Sequence, residues 1–116
     1  MTASDKTTRF YGMLGFARRA GKTVIGTELI CRAMPRRGEN RIRLVIISDK
    51  ASDATRKKLA VKSEFYGIEY IEADIDMERL GHLLGKEFAP SSVAITDDGF
   101  ATEIKKALLP AEDMKG

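Results

Sequence analysis

Apolar residues recur along this chain in two rhythms, and each rhythm predicts one kind of secondary structure. From Leu44 to Ile47 the apolar run is unbroken, which is typical of a strand buried on both faces of a sheet. In the first segment apolar residues recur instead at i, i+3, i+4 and i+7, the spacing of one buried helical face. These residues are Phe10, Met13, Leu14 and Ala17.

Residues that favour helix ends divide the chain into alternating elements. The predicted strands cover residues 22–25, 43–48, 68–71 and 93–96. The first predicted helix ends at Gly21, and four further helices are predicted over residues 26–37, 52–66, 76–84 and 97–108. In the third of these helices we expect Leu59 and Phe65 on the inner face. The alternation predicts an α/β fold, a single three-layer α/β/α sandwich with a small mixed sheet.

Length and composition set the class of protein. The 116 residues, of which 43% are hydrophobic, support one core and one domain over residues 1–116, with frayed ends at 1–7 and 110–116. The longest apolar run has four residues, and the polar segment 2–9 lacks a signal-peptide core. We therefore expect a cytoplasmic protein with no membrane partner, and nothing in the sequence demands more than a monomer.

The net charge of +3 is unevenly distributed along the chain. Residues 1–62 carry 15 Lys and Arg against 5 Asp and Glu, a net +10, whereas residues 63–116 carry 5 against 12, a net −7. This polarity favours a polyanionic partner, with nucleic acid as the leading case. The alternative is that the charges separate in sequence but mix in space.

The stretch "GFARRAGKT", residues 15–23, ends like a phosphate-binding P-loop but has the wrong spacing. A P-loop needs a glycine five residues before its Gly-Lys pair, and that position is Phe16. A helix, not a strand, precedes Gly21. The stretch matters instead because cations cluster around this helix end. They are Arg18, Arg19, Lys22 and, further along the chain, Arg32.

Residue types that carry catalysis are isolated in this sequence. Cys31 and His82 are each the only residue of their type, and they form no recognisable nucleophile and base. Asp49 follows the central strand, where α/β folds often place functional carboxylates, but no partner for it is apparent. Asp97 and Asp98 are explained by helix capping as well as by metal binding. The sequence therefore predicts a binding protein without a cofactor or metal.

Two stretches resemble a known family. "GTELICRAM", residues 26–34, is similar to the start of the second helix of the kink-turn-binding ribosomal proteins, large-subunit families seven-Ae and thirty-e. "LGHLLGKEFAPSSVAI", residues 80–95, is similar to a longer segment of the same family. With the flanking stretches, residues 8–109 resemble the bacterial YlxQ-type branch of that superfamily.

The resemblance implies an α/β/α sandwich that binds kinked RNA. In such proteins the second helix enters the widened major groove at sheared G·A pairs, and the loop before the last strand shields an extruded base. Gly26 and Thr27 match the first two motif positions, and Arg32 matches the motif lysine. Glu28 stands in place of the family's asparagine and Leu29 in place of its glutamate. Glu28 can accept a hydrogen bond from the amino or imino group of guanine, whereas Leu29 cannot.

These considerations together predict a non-enzymatic RNA-binding protein. Its target would be structured RNA, kinked or bulged and ribosomal, and its setting the ribosome and translation. The predicted RNA-binding residues are Arg18, Arg19, Lys22, Gly26, Thr27, Glu28, Arg32, Glu87, Phe88, Ala89, Pro90 and Ser91. In detail, the backbone N–H groups of Gly26 and Thr27 would meet a phosphate, and Phe88 and Pro90 would pack on an unstacked base. The alternative is a protein-interaction module that docks on a translation factor or ribosomal protein.

Overall fold

The computed structural model describes residues 2–109, and the side chains of residues 5–109. In this range the helices are α1 (Thr2–Arg19), α2 (Thr27–Ala33), α3 (Asp53–Tyr66), α4 (Met77–Leu83) and α5 (Asp98–Leu108). The strands are β1 (Thr23–Ile25), β2 (Leu44–Ser48), β3 (Glu69–Ala73) and β4 (Ser92–Ile95). The element order confirms the predicted alternation. Helix α1 begins at Thr2, so the frayed end predicted for residues 1–7 is wrong from residue 2 onward, while residues 110–116 lie outside the described range.

The four strands form one mixed sheet in the order β1-β4-β2-β3. Strand β2 pairs in parallel with β3 and antiparallel with β4, and β4 also pairs antiparallel with β1. All five residues of β2 are buried, because β2 has a neighbour on each side and helices on both faces. The predicted central strand is therefore confirmed, and β1 and β3 are the two edges of the sheet.

Alternate side chains of β2 enter two separate cores, which makes the three layers explicit. Leu44 and Ile46 pack in a core with residues of α1, α4 and α5. Val45 and Ile47 pack on the other face with residues of α2 and α3. Because successive residues of a strand point to opposite faces, this short apolar run serves both layers, and the predicted α/β/α sandwich is confirmed.

Helices α3, α4 and α5 begin at the capping residues that the sequence predicts, and α3 ends at the predicted glycine. The side chains of Ser52, Asp76 and Asp97 each accept a hydrogen bond from the backbone N–H three residues later, at the starts of α3, α4 and α5. Gly67 ends α3 in the left-handed conformation, with φ of 69°, which glycine adopts without steric cost.

Two predictions about the helices are wrong. Helix α2 ends at Ala33 rather than near Arg37, because Pro35 has no N–H to continue the helical hydrogen bonds. Phe65 does not face the core but is 80% exposed. It lies six residues after the buried Leu59, which turns the two side chains about 120° apart around a helix with 3.6 residues per turn.

Candidate RNA-binding groove

A groove of about 710 Å³ lies along the β1 edge of the sheet, between α2 and the segment that follows α4. We call it the α2 groove. The side chains that give it its character are Arg18, Leu29, Arg32, Arg36, Lys86 and Phe88. They come from α1, α2, the turn after α2 and the segment before β4, so the groove exists only in the folded chain.

The α2 groove is cationic and unneutralised. Four of its lining residues are cations, and no carboxylate is among the residues that line it in the described chain. The salt bridges found within residues 5–109 also involve none of the four cations. Positive charge without a partner inside a concave surface attracts polyanions and focuses their approach.

Two exposed apolar side chains lie among these cations. Leu29 is 54% and Phe88 56% exposed, although both are large and hydrophobic. An aromatic ring and an aliphatic side chain beside cations provide surfaces on which an unstacked base can pack. Phe88 is therefore a surface residue and does not belong to either core.

Hydrogen bonds tie the start of α2 to the segment before β4. Thr27 Oγ1 lies 2.9 Å from Ser91 Oγ and 3.2 Å from Ser92 Oγ. The N–H of Gly26 donates to the Ser92 carbonyl at 3.1 Å, because Gly26 continues the pairing of β1 with β4. This N–H is already used, so the prediction that it meets a phosphate is wrong.

The segment 86–91 is held by close packing on α4. A side chain at Gly81 would overlap the Phe88 carbonyl oxygen and approach Pro90 Cδ to 3.0 Å. The Gly81 carbonyl also accepts a hydrogen bond from the N–H of Lys86 at 2.9 Å. Pro90 is buried in this contact, so the expectation that it packs on a base is wrong. Phe88 alone of the predicted pair is accessible.

Gly85 makes room for the cation that α1 contributes. Its φ is +69°, and a side chain there would collide with the Arg18 guanidinium. Arg18 can therefore lie directly against the backbone at the end of α4 and still line the groove. The glycine that ends α4 also shapes the binding surface.

The structure brings together only part of the predicted site. Arg18, Arg32 and Phe88 share the α2 groove. A hydrogen bond between Thr27 and Ser91 connects the start of α2 with the segment before β4. Five further predicted residues lie near the groove but do not line it. Arg19 instead stacks its guanidinium 5.0 Å from the Phe16 ring centroid, Lys22 is half-buried and Glu28 is exposed. Glu87 and Ala89 line a neighbouring cavity.

Three groove residues were not predicted as RNA contacts. Arg36 was absent from the predicted set, and Leu29 entered only as a departure from the family motif. Lys86 lies one residue before the predicted segment and inside the matching stretch, so its position was a usable signal. The position of Arg36 depends on the end of α2 at Ala33, because Arg36 then lies in the turn after the helix rather than within it.

The opposite edge of the sheet carries cations in a different setting. Lys50 Nζ lies 2.8 Å from Asp49 Oδ1 and 3.1 Å from Asp74 Oδ1, and these hydrogen-bonded carboxylates raise the pKa of Lys50. Arg56 pairs with Asp53 and Glu72, and Lys105 with Glu69 at 2.6 Å. We call this set of pairs the β3 edge. Here the charges of the two halves of the chain do mix in space.

The remaining chemical candidates find structural roles. Asp49 pairs with Lys50, and Asp97 caps α5. Within the described residues, no group of three His, Cys, Asp or Glu side chains is arranged to hold a metal ion. Among the described helices, none has the length and apolar character needed to cross a membrane.

Comparison with known proteins places this geometry. The model of the "Ribosomal protein L7Ae/L30e/S12e/Gadd45 family" matches residues 8–105. "RNA-binding protein YlxQ" of Bacillus subtilis (strain 168) is 35% identical over 95 residues, which are 82% of this chain and 90% of that protein. Its namesake of Enterococcus faecium is 33% identical over 97 residues, 83% of this chain and 87% of that protein. Both relatives are named for binding rather than for a reaction, in agreement with the prediction of a non-enzymatic protein.

Solved structures agree on the fold. A protein with unknown function from Bacillus halodurans C superposes with a TM-score of 0.75 at 27% identity, covering 85% of this chain and 95% of that chain. The Giardia lamblia 15.5kD RNA binding protein superposes with a TM-score of 0.70 at 15% identity, covering 89% and 84%. The second likeness concerns the fold alone.

Proposed function

Because the chain belongs to the ribosomal protein L7Ae/L30e/S12e/Gadd45 family, we propose that it is a non-catalytic protein that binds structured RNA in the α2 groove. The observation that carries this proposal is the charge of the groove. Four cations line it, and none of the described carboxylates neutralises them. When the cations of a protein neutralise RNA phosphates, the counterions of those phosphates are released, and the affinity rises with the number of phosphates neutralised.

The groove offers RNA two kinds of contact. Arg18 and Lys86 line the groove from α1 and the segment after α4, and Arg32 and Arg36 line it from α2 and the turn after it, so cations from distant segments can contact phosphates together. Leu29 and Phe88 between them offer apolar surface to a base that has left its stack. A straight A-form duplex presents few unstacked bases, so this combination favours kinked or bulged RNA.

The departures from the family motif shift the expected contacts rather than removing them. Glu28 is exposed at the start of α2, where its carboxylate can accept hydrogen bonds from the amino and imino protons of guanine. Leu29 makes no such bond and instead lines the groove. We propose that Leu29 packs on the flat face of a base, and that Arg32 forks onto guanine O6 and N7.

We extend the proposal to a cellular setting. We propose that the RNA is ribosomal, that the protein acts as a monomer in a cytoplasmic ribonucleoprotein, and that its process is translation. The relatives named YlxQ are described as RNA-binding proteins, which supports RNA as the partner.

A titration of the protein with two matched RNAs tests the proposal. One RNA contains a kink with tandem G·A pairs, and the other is a straight duplex of the same length without them. We expect at least a tenfold preference for the kinked RNA, about 1.4 kcal/mol, together with an affinity that falls as salt rises. Equal affinity for the two RNAs would contradict recognition of a kink and leave only a basic surface.

A further inference from the structure

The outward face of α3 is apolar where a solvent-facing helix is ordinarily polar. Phe65 is 80% and Val61 56% exposed, and they lie one turn apart on the same face. Phe65 packs edge-on against Tyr66, with ring centroids 4.9 Å apart. Single exposed apolar residues are common, but a group on one face of a helix marks an interaction surface.

The spacing along this face is that of a helix that packs against another helix. Ala54, Lys58, Val61 and Phe65 are separated by four, three and four residues, the interval of a coiled-coil seam. All four are exposed, whereas the residues of α3 that are buried against the sheet are Leu59 and Ser63. We call the seam and its flanking lysines the α3 outer face.

Lysines border the seam on both sides. In the register that places Val61 and Phe65 in the seam, Lys57 and Lys62 occupy the flanking positions, where charges select the partner helix. These two lysines and Lys58 are exposed and form no salt bridge within residues 5–109. Glu64 also flanks the seam, next to Phe65, and accepts a hydrogen bond from the Tyr70 hydroxyl. With three lysines against this one carboxylate, the face combines exposed apolar side chains with a net positive charge.

We propose that the α3 outer face docks an amphipathic helix of a partner protein whose apolar stripe is bordered by Asp and Glu. Charge complementarity decides the occupant. A second copy of this chain would bring two faces of net positive charge together, because a two-fold interface presents the same patch on both sides. An acidic helix instead pairs with the lysines that flank the seam.

The docking surface is separate from the α2 groove. The two surfaces share no residue, and the groove follows the β1 edge whereas α3 packs over β2 and β3. RNA and the partner helix can therefore bind together. The protein would then connect a structured RNA to an acidic helical partner.

Two synthetic peptides of about three heptads test the proposal. Both have leucine at the seam positions, and one has Glu and the other Lys at the flanking positions. Each is titrated into isotope-labelled protein, and shift changes are followed by two-dimensional NMR. We expect the Glu peptide to shift signals of residues 54–65 and to bind at least tenfold more tightly than the Lys peptide.

Variants connect the binding to the face. Val61→Ser with Phe65→Ser should weaken the Glu peptide at least tenfold, and the fold should survive because both side chains are largely exposed. Leu29→Ser is the matched control, since Leu29 is an exposed apolar residue of the α2 groove, and it should leave peptide binding unchanged.

Four outcomes would overturn the proposal. The first is no shift change on α3 with the Glu peptide up to about 1 mM, the weak end of specific binding. The second is equal binding of the two peptides. The third is binding of the Glu peptide that survives the loss of Val61 and Phe65. The fourth is a loss of RNA affinity in the serine variant without any loss of peptide binding, which would assign the face to RNA.

Discussion

The two edges of the sheet present cations in opposite electrostatic settings. At the β3 edge, Lys50, Arg56 and Lys105 each have a carboxylate within 4 Å. In the α2 groove at the β1 edge, four cations line a concave surface without a carboxylate partner among the described residues. The same residue types therefore form an internally neutral surface at one edge and a polyanion-binding surface at the other.

The difference shows why charge must be judged in space. The basic first half and acidic second half of the sequence meet at the β3 edge, where Arg56 contacts Glu72 and Lys50 contacts Asp74. Exposed ion pairs of this kind add little to stability, but they cancel the local field. What remains for a polyanion is the charge that folding leaves unpaired in the groove.

Removal of groove arginines should give the largest difference in RNA affinity between the two edges. We expect Arg18→Ala with Arg32→Ala to weaken binding of the kinked RNA about 100-fold, since a hydrogen bond to a charged group contributes about 1.5–3 kcal/mol. Lys50→Ala with Arg56→Ala removes the same charge from the β3 edge and should change affinity less than about twofold. A fluorescence titration measures both, and equal losses would contradict the distinction between the edges.

A side chain at Gly81 should disturb the groove from beneath. Gly81→Ala forces the segment 86–91 away from α4, because its Cβ overlaps the Phe88 carbonyl. We expect the free energy of unfolding to fall by at least about 1 kcal/mol and RNA affinity to fall with it.

Gly12→Ala is the control for this prediction. A Cβ at Gly12, in the middle of α1, meets nothing within 4 Å, so alanine should raise the free energy of unfolding by about 0.5–1 kcal/mol. Urea denaturation measures both variants. Loss of stability in both, or in neither, would count against the close packing described for Gly81.

The hydroxyl of Thr27 should matter through its bonds to the segment before β4. We expect Thr27→Val to lower the free energy of unfolding by about 1 kcal/mol, since it leaves Ser91 and Ser92 without this partner. Thr102→Val, at an exposed position of α5, should change it by less than about 0.5 kcal/mol. Thermal unfolding of the two valine variants tests this prediction. Equal stability of the two variants would show that the hydrogen bonds of the Thr27 hydroxyl contribute nothing to the free energy of unfolding.

The smallest effect should come from a hydrogen bond between β3 and α3. The Tyr70 hydroxyl donates to Glu64 Oε2 at 2.6 Å, and this bond raises the pKa of Tyr70 above its ordinary value of 10.0. The linked stability is present below pH 10 and is lost as the pH rises through the raised pKa. Glu64→Gln should bring the pKa of Tyr70 down. The ultraviolet titration difference between each protein and its Tyr70→Phe counterpart isolates this phenol, and an unchanged midpoint would contradict the assignment.

Local sequence determined most of the fold. The unbroken run Leu44–Ile47 and the caps Ser52, Asp76 and Asp97 predicted their elements because strand burial and helix capping depend on a few neighbouring residues. Phe65 was predicted on the inner face, but its separation of six residues from Leu59 turns it about 120° away around α3, where it is exposed.

The site was predicted less completely because it is built from distant segments. Arg18, Arg32 and Phe88 were found from charge and family resemblance. Three features of the site depend on packing between α2, α4 and β4. These are the burial of Pro90, the hydrogen bond already made by the Gly26 N–H, and the position of Arg36 in the groove. Such contacts follow from tertiary structure and leave no local pattern.

The measurement that tests the central claim most directly is an NMR titration of the isotope-labelled full chain with the kinked RNA. The account predicts saturable shift changes at the start of α2, at Arg18 and over residues 85–91, with little change along the β3 edge. Shift changes concentrated at Lys50, Arg56 and Lys105, or spread evenly over both edges, would contradict it.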